Sequence, residues 1–229
     1  MKLFETRFDP DRFDGEPNDE RAAAEEEVAQ RILAALEEVE SLDADRILRM
    51  CLAVVRAALR TTYYRAVGAV EPASDGGLHI GLKLEPGKVP GLPAPLPAYE
   101  MWVHGPQVEG VHLRFGAVAR GGLRWSDRRT DFRTEVLGLV KAQMVKNTVI
   151  MPVGAKGGFV VKSPPLPTGD AAADRDATRA EGVACYKRFI NGLLGPSVDM
   201  PMWAFVVFYG LDWTATVPPT VELCRRHFG

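Results

Sequence analysis

The sequence has little cysteine and no long hydrophobic run, and each absence excludes a class of protein. Its 229 residues include three cysteines, Cys51, Cys185 and Cys224, which lie far apart and form no metal-type pair. Reduced thiols in a cytoplasmic protein are therefore the expectation. No apolar run approaches the ~18 residues that a membrane span needs. The N-terminal stretch MKLFETRFDPDRFDGEPNDE has no apolar core, so it is not a secretory signal.

Recognisable phosphate-binding and metal-binding motifs are also absent. No G-x-G-x-x-G follows a predicted strand, and VGAKGG is not a P-loop because its lysine precedes the glycine pair. The four histidines are scattered, and no cluster of His and Cys indicates a metal site. His79 and His112 are interpreted as strand residues rather than ligands.

Charge is distributed unevenly along a chain whose formal net charge is -2. Residues 1–45 contain 15 acidic and 5 basic residues, whereas residues 111–162 contain 3 acidic and 10 basic residues. The acidic segment is interpreted as a solvated helix face. The basic segment predicts either an anion site or a set of surface ion pairs.

The first part of the chain is predicted to form a helical hairpin. Residues 1–16 contain Asp9-Pro10 and are predicted to be irregular. Apolar residues at helical spacing predict one helix over residues 18–40. A second helix is predicted from an N-cap at Asp43 to about Tyr64, with Leu42 and Ile47 packed as a hydrophobic staple. The boundary of this helical segment is placed at residues 1–66.

The pattern then changes to strands. LHIGLKLE, AYEMWVHG and GVHLRFG each predict a strand, and the third has Val111, Leu113 and Phe115 on one face. TVIMPV and FVVK predict two further short strands around a GAKGG loop. The close spacing of these strands favours an antiparallel or mixed sheet over successive βαβ units.

Two more helices are predicted to flank this sheet. The first covers residues 131–147 and is capped by Thr130 or Asp131; its core positions are Phe132, Val136, Leu139, Val140 and Met144. The second covers residues 172–194, and its inward positions are Val183, Tyr186, Phe189, Ile190 and Leu193. The predicted fold class is therefore α/β, with an N-terminal helical hairpin followed by the sheet and its flanking helices.

Three basic or glycine-rich segments lie close together in sequence and predict a site. Arg120 and Arg124 flank the glycine pair, and Gln143 and Lys146 share one helix face near its end. Lys156 stands between Gly154 and a second glycine pair, where the backbone can approach a ligand. A lysine becomes an effective acid/base when burial and nearby cations lower its pKa. Because the same cations bind carboxylates, we hypothesise a small carboxylate substrate and proton transfer by one lysine.

The segment VEGVHLRFGAVARGGLRWSDRRTDFRTEVLGLVKAQMVKNTVIMPVGAKGGFVVK carries a family resemblance. It resembles the large bacterial NAD-specific glutamate dehydrogenases, distant relatives of the smaller Glu/Leu/Phe/Val dehydrogenases. The resemblance is dense from about Leu42 to Leu194 and includes SLDADRILRMCLAVVRAALRTTYY, VPGLP and EGVACYKRFINGLL. It implies that residues 67–195 form the substrate-side and assembly-forming domain of an amino-acid dehydrogenase.

The resemblance also implies residue roles. Gly121-Gly122 line the glutamate pocket, and Arg120 stands where relatives often have a lysine that contacts a substrate carboxylate. Gln143 and Lys146 match the helix end that holds the α-carboxylate. Lys156 matches the general acid/base that activates water at the imine carbon. In such an enzyme NAD takes a hydride from the Cα of glutamate, and the imine is hydrolysed to 2-oxoglutarate and ammonia.

The chain is expected to be a fragment of such an enzyme. The NAD-binding Rossmann domain of the relatives lies C-terminal to the matching region, so NAD is expected to bind outside this chain and the chain alone to be inactive. The resemblance fades near Gly195, and residues 196–229 form an atypical aromatic-rich tail, so Asp199 receives no catalytic role. A cytoplasmic homo-oligomer of the full-length protein, without nucleic-acid or membrane partners, is expected.

Three alternatives stay open at this point. The same fold can act on leucine, phenylalanine or valine, or the chain can be a non-catalytic assembly module. The third alternative is an anion or nucleic-acid binder that uses RWSDRRTDFR. This one is disfavoured because the run alternates in sign and has few aromatic residues beside Trp125 and Phe132.

Overall fold

The computed structural model describes residues 1–13, 18–64, 79–116, 122–146 and 154–197. Within these residues, five α-helices flank a mixed six-stranded sheet whose spatial order is β1-β2-β3-β4-β6-β5. The helices are α1 (Lys2–Phe8), α2 (Asn18–Leu36), α3 (Leu42–Ala57), α4 (Phe132–Lys146) and α5 (Ala171–Ser197). The strands are β1 (Ala58–Thr61), β2 (Ile80–Leu84), β3 (Tyr99–His104), β4 (Val108–Arg114), β5 (Leu123–Ser126) and β6 (Ala155–Val161). The α/β class and the mixed sheet predicted from sequence are confirmed.

The predicted helical hairpin is confirmed, although its ends differ from the prediction. Two ion pairs join the segments of the hairpin: Glu37, one residue after α2, pairs with Arg49 in the middle of α3, and Glu26 in the middle of α2 pairs with Arg56 near the end of α3. Helix α3 ends at Ala57 because the next residues pair with β2 as strand β1. The prediction of an irregular N-terminus was wrong for residues 2–8, which form α1.

The start of α3 also corrects the sequence interpretation. The N-cap is Ser41, whose hydroxyl oxygen accepts a hydrogen bond from the Ala44 amide at 3.3 Å, and not Asp43. Leu42 and Ile47 are 86% and 62% exposed, so the predicted staple does not form. In α1, Leu3 packs with Ala29 and Leu52 between the two longer helices, which explains why the N-terminal segment is ordered as a helix.

The three predicted central strands are confirmed as β2, β3 and β4, which pair in antiparallel order. Val111 and Leu113 are buried on one face, and Phe115 packs beside them as predicted. His112 lies within β4, whereas His79 lies one residue before β2. The predicted TVIMPV strand lies outside the described residues.

The GAKGG segment is part of a strand, so the predicted loop was wrong. Strand β6 pairs antiparallel with β4 and parallel with β5, a strand that the sequence did not reveal. A Cβ at Gly157 would lie 2.5 Å from Leu123 Cδ2, and a Cβ at Gly158 would lie 2.6 Å from Val136 Cγ2. Both glycines therefore allow close packing on the two faces of the sheet rather than a turn.

One helix covers each face of the sheet. The α4-side core contains Val111, Leu113, Phe132, Val136, Leu137, Val140 and Val160. The α5-side core contains Met101, Val103, Val108, Phe159, Cys185, Phe189 and Leu193. Because side chains alternate along a strand, β6 contributes Val160 to the first core and Phe159 to the second.

The predicted core positions of the two flanking helices are confirmed in part. In α4, Leu139 is 37% exposed and Leu137 is buried instead. In α5, Val183 and Tyr186 are 49% and 45% exposed, and Cys185 takes the inward position. Phe189 and Leu193 are buried as predicted, because residues four apart line one side of the helix.

Candidate active site

Lys156 is the second residue of β6 and projects from the face that α4 covers. It lies opposite Leu113 in the register of β4 and β6, and Leu113 belongs to the α4-side core. The lysine is half-buried, and a Cβ placed on Gly122 would lie 3.9 Å from its Nζ. The structure therefore brings the predicted reactive lysine next to the second glycine of the predicted pocket.

No carboxylate pairs with Lys156 among the residues that the structure describes. Arg124, which sequence reasoning expected to face a substrate carboxylate, instead donates from Nε to Glu135 Oε1 at 2.9 Å. Glu135 Oε2 also accepts a hydrogen bond from Ser126 Oγ at 2.5 Å. Arg124 is thus neutralised within the protein, while the Lys156 amine is left to interact with a ligand.

Gln143 lies in the last turn of α4 and packs against the start of β6. A Cβ at Gly154 would lie 3.1 Å from Gln143 Oε1. This buried oxygen has no hydrogen-bond partner. An unsatisfied buried polar atom typically costs about 1–3 kcal/mol. A ligand that offers a hydrogen-bond donor at this position would remove that cost.

Of the other predicted site residues, the structure describes only the backbone of Lys146. The backbone of Lys146 ends α4, three residues after Gln143, which puts both on one helix face. The Lys146 side chain, Arg120 and Gly121 lie outside what the structure describes. The start of β5, the start of β6 and the end of α4 share one edge of the sheet, since β5 and β6 are parallel and α4 connects them.

Two carboxylates that sequence reasoning missed hold α4 against the sheet. Glu100 of β3 accepts two hydrogen bonds from Arg133, at 2.8 Å from Nε and 2.7 Å from Nη2. Glu135 binds Arg124 and Ser126 of β5, as described above. Arg133 of the basic segment is thus engaged within the protein, and Arg128 pairs with Asp131 at 3.4 Å. The bidentate pair had no signal in the sequence because its partners are 33 residues apart.

His112 of β4 lies opposite Gly157 of β6 and projects from the face of the sheet opposite to that of Lys156. A Cβ at Gly157 would lie 2.8 Å from its Cδ2, and Arg114 Nε donates to its Nδ1 at 3.4 Å. Burial, assisted by the Arg114 charge, lowers the pKa of His112 to about 4. The imidazole is therefore neutral at pH 7 and serves as a packing group.

Other site classes find no support in the described part of the chain. It contains no group of three or more His, Cys, Asp or Glu side chains that could hold a metal ion. None of its helices is long and apolar enough to cross a membrane. Cys51 and Cys185 are free thiols.

The family of the chain follows from comparison with known sequences. Residues 31–201 match the family described as "Bacterial NAD-glutamate dehydrogenase, catalytic domain". The chain belongs to this family. The matched range contains the three site elements described above.

Three curated relatives are similar to the chain. An NAD-specific glutamate dehydrogenase of Mycobacterium tuberculosis is 54% identical over 226 residues, which is 99% of this chain and 13% of that protein. Proteins of the same name from Halomonas elongata and Pseudomonas aeruginosa are 53% and 51% identical over 85% of this chain. Each of those two alignments covers 11% of the relative. The chain thus spans about an eighth or less of the length of these glutamate dehydrogenases.

The comparisons differ in how far they follow residues 196–229. The family match ends at residue 201, close to where the sequence analysis predicted that the resemblance fades. The alignment with the mycobacterial glutamate dehydrogenase, however, covers 99% of the chain and therefore continues into the tail. The tail thus has a counterpart in at least one curated relative.

Proposed function

We propose that this chain is the substrate-side part of an NAD-dependent glutamate dehydrogenase. The complete protein would oxidise L-glutamate to 2-oxoglutarate and ammonia in cytoplasmic amino-acid catabolism, acting as a homo-oligomer. Family membership supports the reaction class, and the names of the three relatives support glutamate and NAD. The single observation that carries the site is the half-buried Lys156 beside Gly122, which pairs with no carboxylate of the described residues.

In this proposal Lys156 acts as the general acid/base. Oxidation at the Cα of glutamate gives an imine, and water must then add to the imine carbon before ammonia leaves. In its neutral form, a lysine amine can take a proton from that water and return it to the departing nitrogen. Its position on a strand, rather than a loop, fixes the amine relative to the pocket.

The substrate carboxylates and amino group require further partners. We assign them to Arg120, Gly121-Gly122, Gln143 and Lys146. The Gln143 side-chain amide supplies both a donor and an acceptor for the substrate. The cationic side chains suit its carboxylates. Gly122 leaves room for the substrate next to the lysine amine.

The described residues do not fit NAD. Among the described strands, β5 and β6 form the one parallel pair, which α4 connects, and the turn from β5 to α4, residues 127–131, contains no glycine. A dinucleotide cradle requires glycines there so that the backbone can approach the pyrophosphate. We therefore propose that NAD binds to a part of the complete protein outside this chain, and we assign no step to residues of this chain through the cofactor.

The experiment that tests this function replaces Lys156 in the full-length protein. Lys156→Ala is expected to lower kcat for glutamate oxidation by roughly 10²–10⁴-fold. Lys141→Ala, which removes an exposed lysine of α4, is the matched control and should retain activity. The 229-residue chain assayed alone is expected to form no NADH.

The contradicting outcomes are specific. Turnover of Lys156→Ala at the wild-type rate would remove the proposed acid/base. If the wild-type protein turned over leucine, phenylalanine or valine faster than glutamate, the proposal that glutamate is the substrate would be wrong. Glutamate-dependent NADH formation by the isolated chain would contradict the placement of NAD outside it.

A further inference from the structure

A cavity of about 350 Å³ lies on the opposite side of the sheet from Lys156. It is lined by Trp125, Asp174, Arg175, Thr178 and Arg179. Trp125 lies beside Phe159 in the register of β5 and β6, so it projects from the face that α5 covers. The cavity is therefore separate from the proposed glutamate pocket. It is an open groove rather than an enclosed pocket, and its volume is near the lower end of the range for small-molecule sites, about 300–1,000 Å³.

Trp125 forms a fixed aromatic wall of this cavity. Its six-membered ring contacts Gly182 of α5, where a Cβ would lie 2.4 Å from Cζ3 of the indole. It also stacks on Phe159, with ring centroids 6.4 Å apart and an interplanar angle of 12°. Despite these contacts, 44% of the residue is exposed. A large aromatic surface is thus held in one orientation and left open to a ligand.

Arg175 and Arg179 give the cavity its charge. They are four residues apart on α5, so they are neighbours on one helix face and repel each other. Both are exposed, and neither forms an ion pair among the residues that the structure describes. This arrangement becomes favourable when an anion binds between them.

The carboxylate of Asp174 forms no ion pair with these arginines among the described residues, so one negative charge beside two positive charges leaves the lining at a formal +1. It accepts hydrogen bonds from Thr168 N and Thr168 Oγ1, both at 2.7 Å, and from Gly169 N at 3.4 Å. These donors hold its pKa below the usual value, so the carboxylate is stabilised by the preceding loop. The hydroxyl of Thr178 bonds back to the Asp174 carbonyl oxygen at 2.8 Å. The two guanidinium groups thus remain the free polar groups of the cavity.

We propose that this cavity is a binding site for a small aromatic anion of the nucleoside monophosphate type. The planar base stacks on Trp125, and the phosphate accepts hydrogen bonds from Arg175 and Arg179. A ligand that lacks either the ring or the anion satisfies only half of the site. Binding at this site is independent of the proposed function, because none of its residues contributes to the Lys156 pocket.

Calorimetric titration of the 229-residue chain with four probes tests the proposal. AMP carries both groups, adenosine carries only the ring, and inorganic phosphate carries only the anion. Benzoate combines a ring with a carboxylate, so it distinguishes a phosphate ligand from an aromatic carboxylate. AMP is expected to bind at least about 10-fold more tightly than adenosine or phosphate. If benzoate bound as tightly as AMP, the site would still take an aromatic anion, but the anionic group of that ligand would be a carboxylate rather than a phosphate.

Variants then connect the binding to the named residues. Trp125→Ala and the double change Arg175→Ala/Arg179→Ala are each expected to weaken AMP binding about 10-fold or more. Trp125→Phe keeps a ring and should bind with a smaller loss, which separates lost stacking from lost folding. Arg129→Ala removes an exposed arginine outside the cavity and is the matched control. AMP binding no tighter than phosphate, or equal binding by wild type and the Arg175/Arg179 variant, would overturn the proposal.

Discussion

The two faces of strand β6 are packed in different ways. On the α5 side, Phe159 joins a purely apolar core with Phe189 and Leu193. On the α4 side, Val160 is also buried, yet the same face carries Lys156, two residues before Gly158. In the part of the chain that the structure describes, this lysine pairs with no carboxylate. Helix α5 is held mainly by apolar contacts, with one polar contact from Cys185 Sγ to the Gln107 carbonyl oxygen at 3.4 Å, whereas α4 is fixed by the Glu100–Arg133 and Glu135–Arg124 ion pairs as well as by its core.

This difference shows how one strand can serve stability and chemistry at once. Gly157 and Gly158 let Leu123 and Val136 approach the strand from its two sides. The directional ion pairs fix α4 at defined points, and α4 carries Gln143 and Lys146 at its end. An apolar helix face specifies position less strictly than paired polar groups do, and that suits α5, which we assign no part in the proposed catalysis. Substitutions on the two faces should therefore separate stability from activity.

The largest effect is expected in the α5-side core. Phe189→Ala removes a fully buried ring and is expected to lower the free energy of unfolding by about 3–5 kcal/mol. Tyr186→Ala, on the same helix but 45% exposed, should cost less than about 1.5 kcal/mol. Urea denaturation measures both. Equal losses for the two variants would show that α5 is not packed as described.

A pH effect of intermediate size is expected from His112. Because its folded pKa, about 4, lies below the ordinary value of 6.5, the unfolded state binds the proton first as pH falls. Stability should be unaffected by this group above pH 6.5 and should decline between pH 6.5 and pH 4, by about 3 kcal/mol at most. The measurement is the free energy of unfolding across this range for wild type and His112→Leu. A pH dependence as steep in the variant as in wild type would refute the assignment.

Substitution of Glu135 is expected to have the smallest effect on stability. It should nevertheless alter the proposed glutamate site selectively. Glu135→Gln weakens the bonds that hold β5 to α4, and we expect a loss of about 1 kcal/mol because Arg124 is largely exposed. In the full-length protein the KM for glutamate should rise several-fold, since Gly122 directly precedes β5. Asp131→Asn, which disrupts only the exposed pair with Arg128, is the control. An unchanged KM in Glu135→Gln would mean that β5 does not position the pocket.

Much of the fold could be predicted because β2, β3 and β4 alternate clearly and α2 has a regular apolar stripe. Strands β1 and β5 could not be predicted, because each has only four residues, too few to show an alternating pattern. Each is defined by its hydrogen bonds to a neighbouring strand. GAKGG was misinterpreted because glycine permits both turns and close packing, and only the neighbours Leu123 and Val136 distinguish the two. In α5, apolar residues on several sides left the inward face ambiguous between Val183 and Cys185.

The candidate site was predictable to the extent that its residues lie in short motifs. Lys156, Gly122 and Gln143 were expected to converge, and the structure places the first two together and the third against Gly154. The partner of Arg124 was not predictable, because Glu135 lies on another element and its choice depends on how α4 crosses the sheet. Long-range ion pairs of this kind are decided by packing rather than by local sequence.

The most direct test of the account is a crystal structure of the full-length protein with glutarate, an unreactive dicarboxylate that resembles the substrate. We predict that glutarate binds on the α4 side of the sheet, between Gly122 and the end of α4. One of its carboxylate oxygens should lie within hydrogen-bonding distance, about 3 Å, of Lys156 Nζ or of the Gln143 side-chain amide. Glutarate bound at a different site, with Lys156 engaged by a carboxylate of the protein itself, would contradict the proposed active site.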